Sequence, residues 1–418
     1  MTGDCDIDEV SSAVAFGTLL TESNKPIQNA IVTINSDASS EYPLTTFSDE
    51  DGMYAFESNP IGEEFNLTAD KKGDWLNGVS TVDRFLIKQH ILAKAELESS
   101  YKIIAADVNN DAQVSAADIV DARNMILGLT NEFIGNYSWK FVDSKLQFID
   151  ESNPWPFVSE VNIPYLFNGE NRFDFVGIKI GDVNDNVVPN DNDSAELRNN
   201  LVSTIELEEM EFRKNQIIEV ELDFSSLELF GFQFTLGLQD LKLLDVKITE
   251  GNNAANFGYA SIEDKVTMSY FSDQDFSDQL LVTLFFTTSA NGRLSDSLNI
   301  NSSITKNEVY NRVTGNTSTL GFIYNSIHDG IELYQNTPNP FTDETELSFY
   351  IPSAGQTVLR IVDVTGKEIY RHESFFEQGE HKLKVNKEQL KQGSGVMYYQ
   401  LELNGSQQSK VNKMIQLN

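Results

Sequence analysis

The sequence predicts a mainly β, multi-domain protein in which β-sandwiches flank one small α-helical module. Alternating apolar and polar residues, separated by turn residues, fill 13–70 and 200–325, a pattern typical of half-buried strands. At 72–130 the apolar spacing becomes helical and repeats once. Charge marks a further boundary, because the chain holds 64 acidic and 30 basic residues but residues 332–418 hold only 11 and 9 of them. A separate domain is therefore expected after about residue 331.

The net charge of −34 over 418 residues excludes several classes of function. Nucleic-acid binding needs clustered Lys and Arg, and an anionic membrane surface attracts the same residues. No apolar run approaches the roughly 20 residues of a transmembrane helix. The single cysteine, Cys5, permits no internal disulfide. This many carboxylates suit a solvated exterior or a cation-binding protein.

The first predicted sandwich covers residues 13–71. Asp51-Gly52 lies between two strand-like runs and predicts a hairpin turn, because Gly adopts a positive φ without steric cost. The strings GTLLTESNKPIQNAIVTINS and TTFSDEDGMYAFES resemble the carboxypeptidase-regulatory-like family. That resemblance implies an Ig-like or prealbumin-like sandwich that serves as a spacer or binding unit rather than as a catalyst.

The helical segment is an internal repeat with an offset of 35 positions. Its second copy, DVNNDAQVSAAD, has the oxygen-ligand spacing of a calcium loop that enters a helix. Loop positions 1, 3, 5, 7, 9 and 12 are Asp107, Asn109, Asp111, Gln113, Ser115 and Asp118. Carboxylate, amide and carbonyl oxygens are the ligands that calcium prefers, so calcium is the predicted cofactor.

Two positions depart from the usual loop, since Ala112 replaces Gly at position 6 and the last ligand is Asp rather than Glu. The alternative to calcium is a solvated acidic loop that caps the helix through Asp118 or Ser115. The repeated loop–helix pair resembles the dockerin module of bacterial surface and polysaccharide-degrading assemblies. That resemblance implies two calcium loops and docking onto a cohesin module. The docking positions 10 and 11, usually Ser-Thr, are Thr81-Val82 and Ala116-Ala117, which argues against the usual cohesin recognition.

The first copy of the loop is incomplete. It keeps ligand types at positions 3, 9 and 12, which are Asp74, Ser80 and Asp83. A later segment, DVNDN at 182–186, is the first half of such a loop without a second half. We therefore predict a split site that combines Asp182, Asn184 and Asn186 with Ser80 and Asp83. An Asp/Asn-rich linker is the alternative.

The dockerin-like module is expected at 72–186 and includes an aromatic-rich insertion at 131–174. Its large aromatic residues are Trp139, Phe141, Trp155, Phe157, Tyr165 and Phe167. They form either a platform on which sugar rings stack or a loop pinned to the domain by buried rings. The second interpretation is favoured, because most large aromatic side chains serve cores.

A polar linker is expected at 187–199 and a second sandwich at 200–328. Alternation is clear in Ile217–Leu222 and Phe230–Leu236. The strings IIEVELDFSSLELFGFQFTLGL and LLVTLFFTTSANGRLSDSLNINSSITKNEVY resemble cohesin-type modules and their carbohydrate-binding relatives. The presence of a cohesin-like and a dockerin-like unit in one chain suggests the hypothesis of self-docking, in cis or between molecules. The changed docking positions argue against it.

The C-terminal segment, 332–418, opens with YQNTPNPF and continues with TELSFYIPSAGQTVLRIVDVTGKEI. It closely resembles the type A sorting domain of the type IX secretion system of Bacteroidetes. The resemblance implies a β-sandwich that the type IX machinery reads for export across the outer membrane. Removal of this domain and attachment to the cell surface are expected to follow. Because MTGDCDIDEV is not a signal peptide, we expect a longer protein of which this is the C-terminal part, or a misassigned start.

No catalytic constellation is recognisable. The histidines are scattered, at His90, His328, His372 and His381, and Gly393-Ser394-Gly395 is not a nucleophile elbow. We therefore expect a non-catalytic, calcium-stabilised region of a secreted surface protein that acts as spacer, scaffold or adhesion modules. The alternative is an accessory region of a polysaccharide-degrading protein that binds a glycan or a cohesin- or dockerin-type partner.

Overall fold

A computed structural model describes residues 12–37, 39–190, 202–227, 229–249, 256–272, 280–312, 315–326, 330–390, 395–405 and 407–417. The protein is mainly β, as predicted, with 48% strand and 10% helix. It divides into two compact units. The first comprises Met1–Leu207 and Glu211–Tyr324, and the second comprises Glu208–Met210 and Asn325–Asn418. Cys5, His328, Gly393-Ser394 and residues 191–199 of the expected linker lie outside the described residues.

The first unit begins with a sandwich and three helices. Strands β1 to β5 are Ala13–Leu20, Ile31–Asn35, Leu44–Phe47, Met53–Asn59 and Phe65–Asp70. Helices α1 to α3 are Thr81–Ile91, Ser100–Ala106 and Ala116–Ile126. Strands β6 to β9 are Trp139–Asp143, Glu160–Ile163, Gly169–Arg172 and Phe175–Lys179. Within the described ranges, no helix is long and apolar enough to cross a membrane.

Strands from both ends of this segment build the first sandwich. One sheet has the order β4-β1-β9-β6, with β8 also paired to β1, and the other has the order β3-β2-β5-β7. Strand β1 runs parallel to β8 and β9. The sheets therefore cross the boundary expected at residue 71. The physical reason is core filling, because Trp139 and Phe141 are buried in the same apolar cluster as Val32 and Phe65.

The helical repeat forms a second core beside this sandwich. Apolar residues of α1 and α3 pack with Ile178 and Ile180 at the end of β9. Each helix begins at a serine whose side chain caps the backbone, Ser80 for α1 and Ser115 for α3. An aspartate at the third helical position completes a capping box in both cases, which explains where the helices start.

The second sandwich of the first unit follows from residue 202. Strands β10 to β15 are Val202–Glu209, Glu211–Phe212, Ile217–Asp223, Leu229–Leu238, Leu241–Thr249 and Gly258–Ile262. Strands β16 to β18 are Lys265–Phe271, Leu281–Thr288 and Gly292–Arg293, and the short helix α4 is Leu294–Ser297. Strands β19 to β21 are Leu298–Asn301, Glu308–Asn311 and Thr317–Ser326. The larger sheet has the order β10-β21-β20-β13-β16-β15, with β19 on β13, and a smaller sheet is β12-β17-β14.

The pattern of burial along strand β12 differs from that along strands β13 and β16. Strand β12 alternates between exposed and buried residues, as its sequence predicts. Strands β13 and β16 are buried almost throughout, although polar residues alternate with apolar ones in both. The cross-strand pair Gln233 and Ser269 is buried on the outer face of the sheet. A second layer therefore covers this face, and that layer is helix α1 together with the end of α3.

The second unit is a sandwich of its own. Strands β22 to β25 are Glu332–Leu333, Glu344–Ile351, Gly355–Asp363 and Glu368–Phe376. Strands β26 to β29 are Gly379–Asn386, Gly395–Leu403, Gln407–Gln408 and Asn412–Gln416. The sheets have the orders β22-β23-β26 and β25-β24-β27-β28, with β29 on β27. Inward-facing residues such as Leu347, Ile361 and Leu401 form one buried cluster.

Polar side chains of the YQNTPNPF motif fix this segment to the second unit. The Asn336 amide nitrogen Nδ2 donates to Pro338 O at 3.0 Å and to Thr345 Oγ1 at 2.9 Å. The backbone N–H of Asn336 donates to the hydroxyl of Tyr399 at 2.8 Å. That hydroxyl donates in turn to Tyr334 O at 2.8 Å. These hydrogen bonds attach the motif to the second unit, so it is part of the folded domain.

Tyr399→Phe should destabilise the second unit, because it leaves the buried Asn336 N–H and Tyr334 C=O without their partner. We expect a loss of about 1–3 kcal/mol in the free energy of unfolding. Hydrogen exchange of the full chain, followed by mass spectrometry over 332–418, measures this. Tyr398→Phe is the matched control, because Tyr398 is 37% exposed. Equal exchange in both variants would contradict the proposed role of the hydroxyl.

Candidate calcium loops and their docking surface

The second loop is closed by one buried carboxylate. Asp118, in the first turn of α3, accepts a hydrogen bond at Oδ1 from Val108 N at 2.8 Å. Its Oδ2 accepts from Ser115 N, also at 2.8 Å. Asp118 is fully buried. It therefore joins the beginning of the loop to its end.

The first half of this loop folds around Asp107, which is also fully buried. Its two carboxylate oxygens accept from Asp111 N at 2.9 Å and Ala112 N at 3.1 Å. Ala112 has φ +65°, in the left-handed region where calcium loops usually place Gly. Asn109 Oδ1 accepts from Asp111 N at 3.1 Å, and Gln113 N donates to Asp111 Oδ1 at 3.0 Å. Side chains at positions 1, 3 and 5 therefore turn into the loop.

The split loop has the same arrangement, built from two distant segments. Asp83 Oδ1 accepts from Val183 N at 2.9 Å, and its Oδ2 accepts from Ser80 N at 2.9 Å. Asp182 accepts from Asn186 N at 3.2 Å and from Val187 N at 2.8 Å. These contacts repeat those of Asp118 and Asp107. The structure thus brings together the segments that the split-site hypothesis joined.

One residue assigned to the first copy lies elsewhere. Asp74 accepts a hydrogen bond from Asn77 Nδ2 at 2.5 Å in the turn before α1. Position 3 of the split loop is occupied by Asn184, whose Oδ1 accepts from Asn186 N at 3.0 Å. Gly78 stands at position 7 with φ +80°, and a Cβ there would lie 2.6 Å from Asp182 Oδ2. Only glycine permits this close approach.

Burial governs the electrostatics of both loops. It raises the pKa of Asp83 well above the usual range, and the neighbouring Asp182 adds to the shift. It raises the pKa of Asp182 to about 6 and also raises the pKa values of Asp107 and Asp118. Buried carboxylates are costly when charged, and a cation nearby reverses that cost. The donor set of each loop therefore suits a hard cation.

One lysine lies near each loop. Lys179 is buried, donates from Nζ to Trp75 O at 2.9 Å, and has a pKa lowered by burial to about 8. Lys140 donates from Nζ to Asn110 Oδ1 at 2.7 Å, and burial lowers its pKa. In the described ranges, no group of three or more His, Cys, Asp and Glu side chains converges as a metal cluster. A metal in either loop would therefore need amide and carbonyl oxygens as well.

The helix that closes the split loop also contacts the second sandwich. Thr81 donates from its backbone nitrogen and from Oγ1 to Gln233 Oε1, at 2.7 and 2.8 Å. Thr81 Oγ1 also lies 2.8 Å from Ser269 Oγ. Arg84, fully buried, donates from Nη1 to Ser269 Oγ at 2.6 Å. The turn of α1 that carries Asp83 is therefore the turn that contacts the second sandwich.

Arg84 lies in this interface without a carboxylate partner among the described residues. Its guanidinium is 5.1 Å from the ring centroid of Phe271, a cation–π contact. Burial lowers the pKa of Arg84 to about 9, and the charge of Arg123 contributes. Phe85 packs on Phe230 and Phe271 with centroid distances of 5.5 and 6.0 Å.

The end of α3 contacts the same face. Thr305 Oγ1 donates to Ile126 O at 2.5 Å, and Thr267 Oγ1 donates to Leu127 O at 2.8 Å. Side chains of the second sandwich therefore satisfy carbonyls at the helix C-terminus that have no partner within the helix. Gly128 fits against Ile304, since a Cβ there would lie 2.5 Å from Ile304 Cγ2.

One of the two expected docking positions lies in the contact between the helical module and the second sandwich. Position 10 of the first copy, Thr81, lies at the centre of the interface, whereas Ala116 and Ala117 are exposed. The sequence analysis missed Arg84, Gln233 and Ser269. Polar residues that alternate along β13 and β16 look like a solvent face, and no spacing in the sequence marks them as an interface.

Comparison with known proteins identifies the C-terminal segment. Residues 337–417 match the family described as the secretion system C-terminal sorting domain, which confirms the predicted sorting domain. The match indicates export through the type IX secretion system to the cell surface or the extracellular space. No curated protein matches the sequence.

The chain shows limited similarity to solved structures that include a cohesin and a pilin. The seventh ScaB type I cohesin from Pseudobacteroides cellulosolvens is 13% identical, with a TM-score of 0.23, over 30% of this chain and 89% of that chain. The major pilin subunit BcpA of Bacillus cereus is 9% identical, with a TM-score of 0.22, over 96% of this chain and 95% of that chain. TM-scores this low assign neither fold family nor function.

Gln233→Met should weaken the docked interface, because the buried N–H of Thr81 loses its acceptor. We expect the free energy of unfolding to fall by about 1–3 kcal/mol, measured by urea unfolding of the full chain. The matched control is Gln239→Met, since Gln239 is exposed on the same sandwich. The interface assignment fails if both substitutions shift the transition equally.

Proposed function

We propose that this chain is a non-catalytic, calcium-stabilised region of a secreted cell-surface protein. Its sandwiches and helical module serve as spacer, scaffold or adhesion modules, and its sorting domain supplies export and surface anchoring. The observation that supports this most strongly is the repeated loop geometry. Two loops, one continuous and one split between 78–83 and 182–187, place paired buried aspartates against the same backbone positions.

Calcium fits the chemistry of these loops better than capping alone does. A capping box needs only the serine and the aspartate of the first helical turn. It does not account for the second buried carboxylate in each loop, Asp107 or Asp182, whose pKa is raised by burial. A hard divalent cation bound by carboxylate, amide and carbonyl oxygens would favour the charged forms of these groups.

A bound cation would stabilise more than the helices. Filling the split loop would hold α1 to residues 182–187, and α1 also carries the contacts to the second sandwich. The first sandwich joins the same assembly, because Ser23 N and Thr21 Oγ1 donate to Asp185 Oδ2 at 2.7 and 3.2 Å. This continuity supports a stiff spacer or scaffold. Because the chain's own helices cover the cohesin-like face, we do not favour assembly with a separate dockerin.

Calcium titration of the full chain by calorimetry should reveal two sites. Asp107→Asn with Asp118→Asn should remove one of them, and Asp83→Asn with Asp182→Asn should remove the other. Chelation should lower the melting temperature of wild type, because a ligand that binds only the folded state is lost.

The matched control is Asp49→Asn with Asp150→Asn, two exposed aspartates outside the loops. It should keep both sites and the full effect of chelator. Identical melting with and without chelator in wild type would rule out the calcium proposal. A single site that depends on Asp107 and Asp118 would rule out the split site alone.

Deletion of residues 332–418 should abolish export, because the machinery would lose the domain that it reads. Fractionation of a type IX-competent host compares this deletion with the full chain, both expressed behind the same added signal peptide. The deleted protein should accumulate inside the outer membrane. As a control for folding, its first unit should retain the calcium-dependent melting of the full chain. Surface display of the deleted protein would contradict the assignment.

A further inference from the structure

We propose that a cavity between the first sandwich and the second loop binds a neutral saccharide. The cavity has a volume of about 710 Å³, within the range of small-ligand sites. Its walls come from the end of β5, strand β6, the loop at 107–112 and the segment 155–159. It deepens the proposed function by giving the adhesion module a ligand class.

Aromatic side chains form one part of the wall. Tyr137 is 58% exposed, and Trp155 and Phe157 are half-buried. Trp139 and Phe141 also line the cavity, but their side chains are buried in the sandwich core. The aromatic-rich insertion therefore contributes rings both to the sandwich core and to the wall of the cavity. Partly exposed flat rings at a cavity are suited to stacking against the apolar faces of sugar rings.

Polar groups of both kinds complete the wall. Asp70 and Lys72 line the cavity and form an ion pair at 3.8 Å. Lys140 Nζ, which donates to Asn110 Oδ1, lies 5.7 Å from the ring centroid of Phe157. Such a mixture of donors and acceptors suits sugar hydroxyls, which both donate and accept hydrogen bonds.

The charge of the wall and the chain favours a neutral ligand. The acidic residues of the wall, Asp70 and Asp107, are balanced by Lys72 and Lys140, while the chain as a whole carries a net charge of −34. An acidic sugar would meet this field and be repelled. Asp107, Asn110 and Ala112 belong both to the cavity wall and to the second loop. Only the part of the wall formed by these three residues depends on the calcium proposal. The rings of residues 137 and 155–157 lie outside the loop.

Affinity electrophoresis of the full chain tests the proposal, using native gels that contain barley β-glucan, xylan, galactomannan or pullulan. Polygalacturonate serves as the acidic comparison. We expect at least one neutral polysaccharide to retard wild type. Trp155→Ala and Tyr137→Ala should each weaken that binding by about tenfold. Tyr165→Ala is the matched control, because Tyr165 is 53% exposed, packs on Phe167 and lies outside the cavity.

Each outcome decides the proposal. It is overturned if no neutral polysaccharide retards the protein, if polygalacturonate alone does, or if the Tyr137 and Tyr165 variants bind alike. Circular dichroism shows whether the Trp155 variant folds. Because Tyr137 is exposed, its substitution tests the cavity even if the Trp155 variant misfolds. Gels and melting curves run with chelator separate the two proposals. Retardation that needs Tyr137 supports the saccharide site whether or not it persists in chelator, whereas the effect of chelator on the melting temperature decides the calcium proposal.

Discussion

The carboxylate of Asp83 is the interaction on which the architecture of the first unit depends. It caps helix α1 through Ser80 and accepts the backbone N–H of Val183, which lies 100 residues later in the chain. The Asp83 side chain is fully buried, which raises its pKa. A buried polar group is costly unless it is hydrogen-bonded, so these contacts are needed to keep the carboxylate in place. The helical module is therefore closed by a contact of very high sequence separation, and the first sandwich is formed by the intervening and preceding strands.

The same helical turn explains how the second sandwich joins this unit. Asp83 lies between Thr81 and Arg84, which both bond to the outer face of β13 and β16. Burial of the Arg84 guanidinium against a hydroxyl and an aromatic ring is costly, because its charge is removed from water and has no carboxylate partner within the described ranges. Such a group tolerates little movement. The interface therefore depends on the loop that fixes the start of α1. A substitution in the loop is expected to weaken the interface, and a substitution in the interface is expected to weaken the loop.

Some of this could be read from the residues. The spacing of Asp107, Asn109, Asp111 and Asp118 indicates a loop before a helix, because alternate side chains of a tight loop face inward. The half-loop at 182–186 pointed to a partner because it lacks its own second half. Asp74 shows the limit of such reasoning, since an equally well-spaced carboxylate lies in a neighbouring turn. The aromatic insertion shows another limit, because composition does not distinguish buried Trp139 from Trp155 at a cavity.

By itself, the sequence determined the mainly β class, the helical repeat, the first turn of α3 and the C-terminal sorting domain. These depend on local periodicity, on capping residues or on a long collinear motif. Only the tertiary structure decided that β6 to β9 complete the first sandwich, and that polar Gln233 and Ser269 face a helix rather than water. The reason is that burial of an outward-facing polar side chain depends on what another part of the chain places over it, and no local pattern records that.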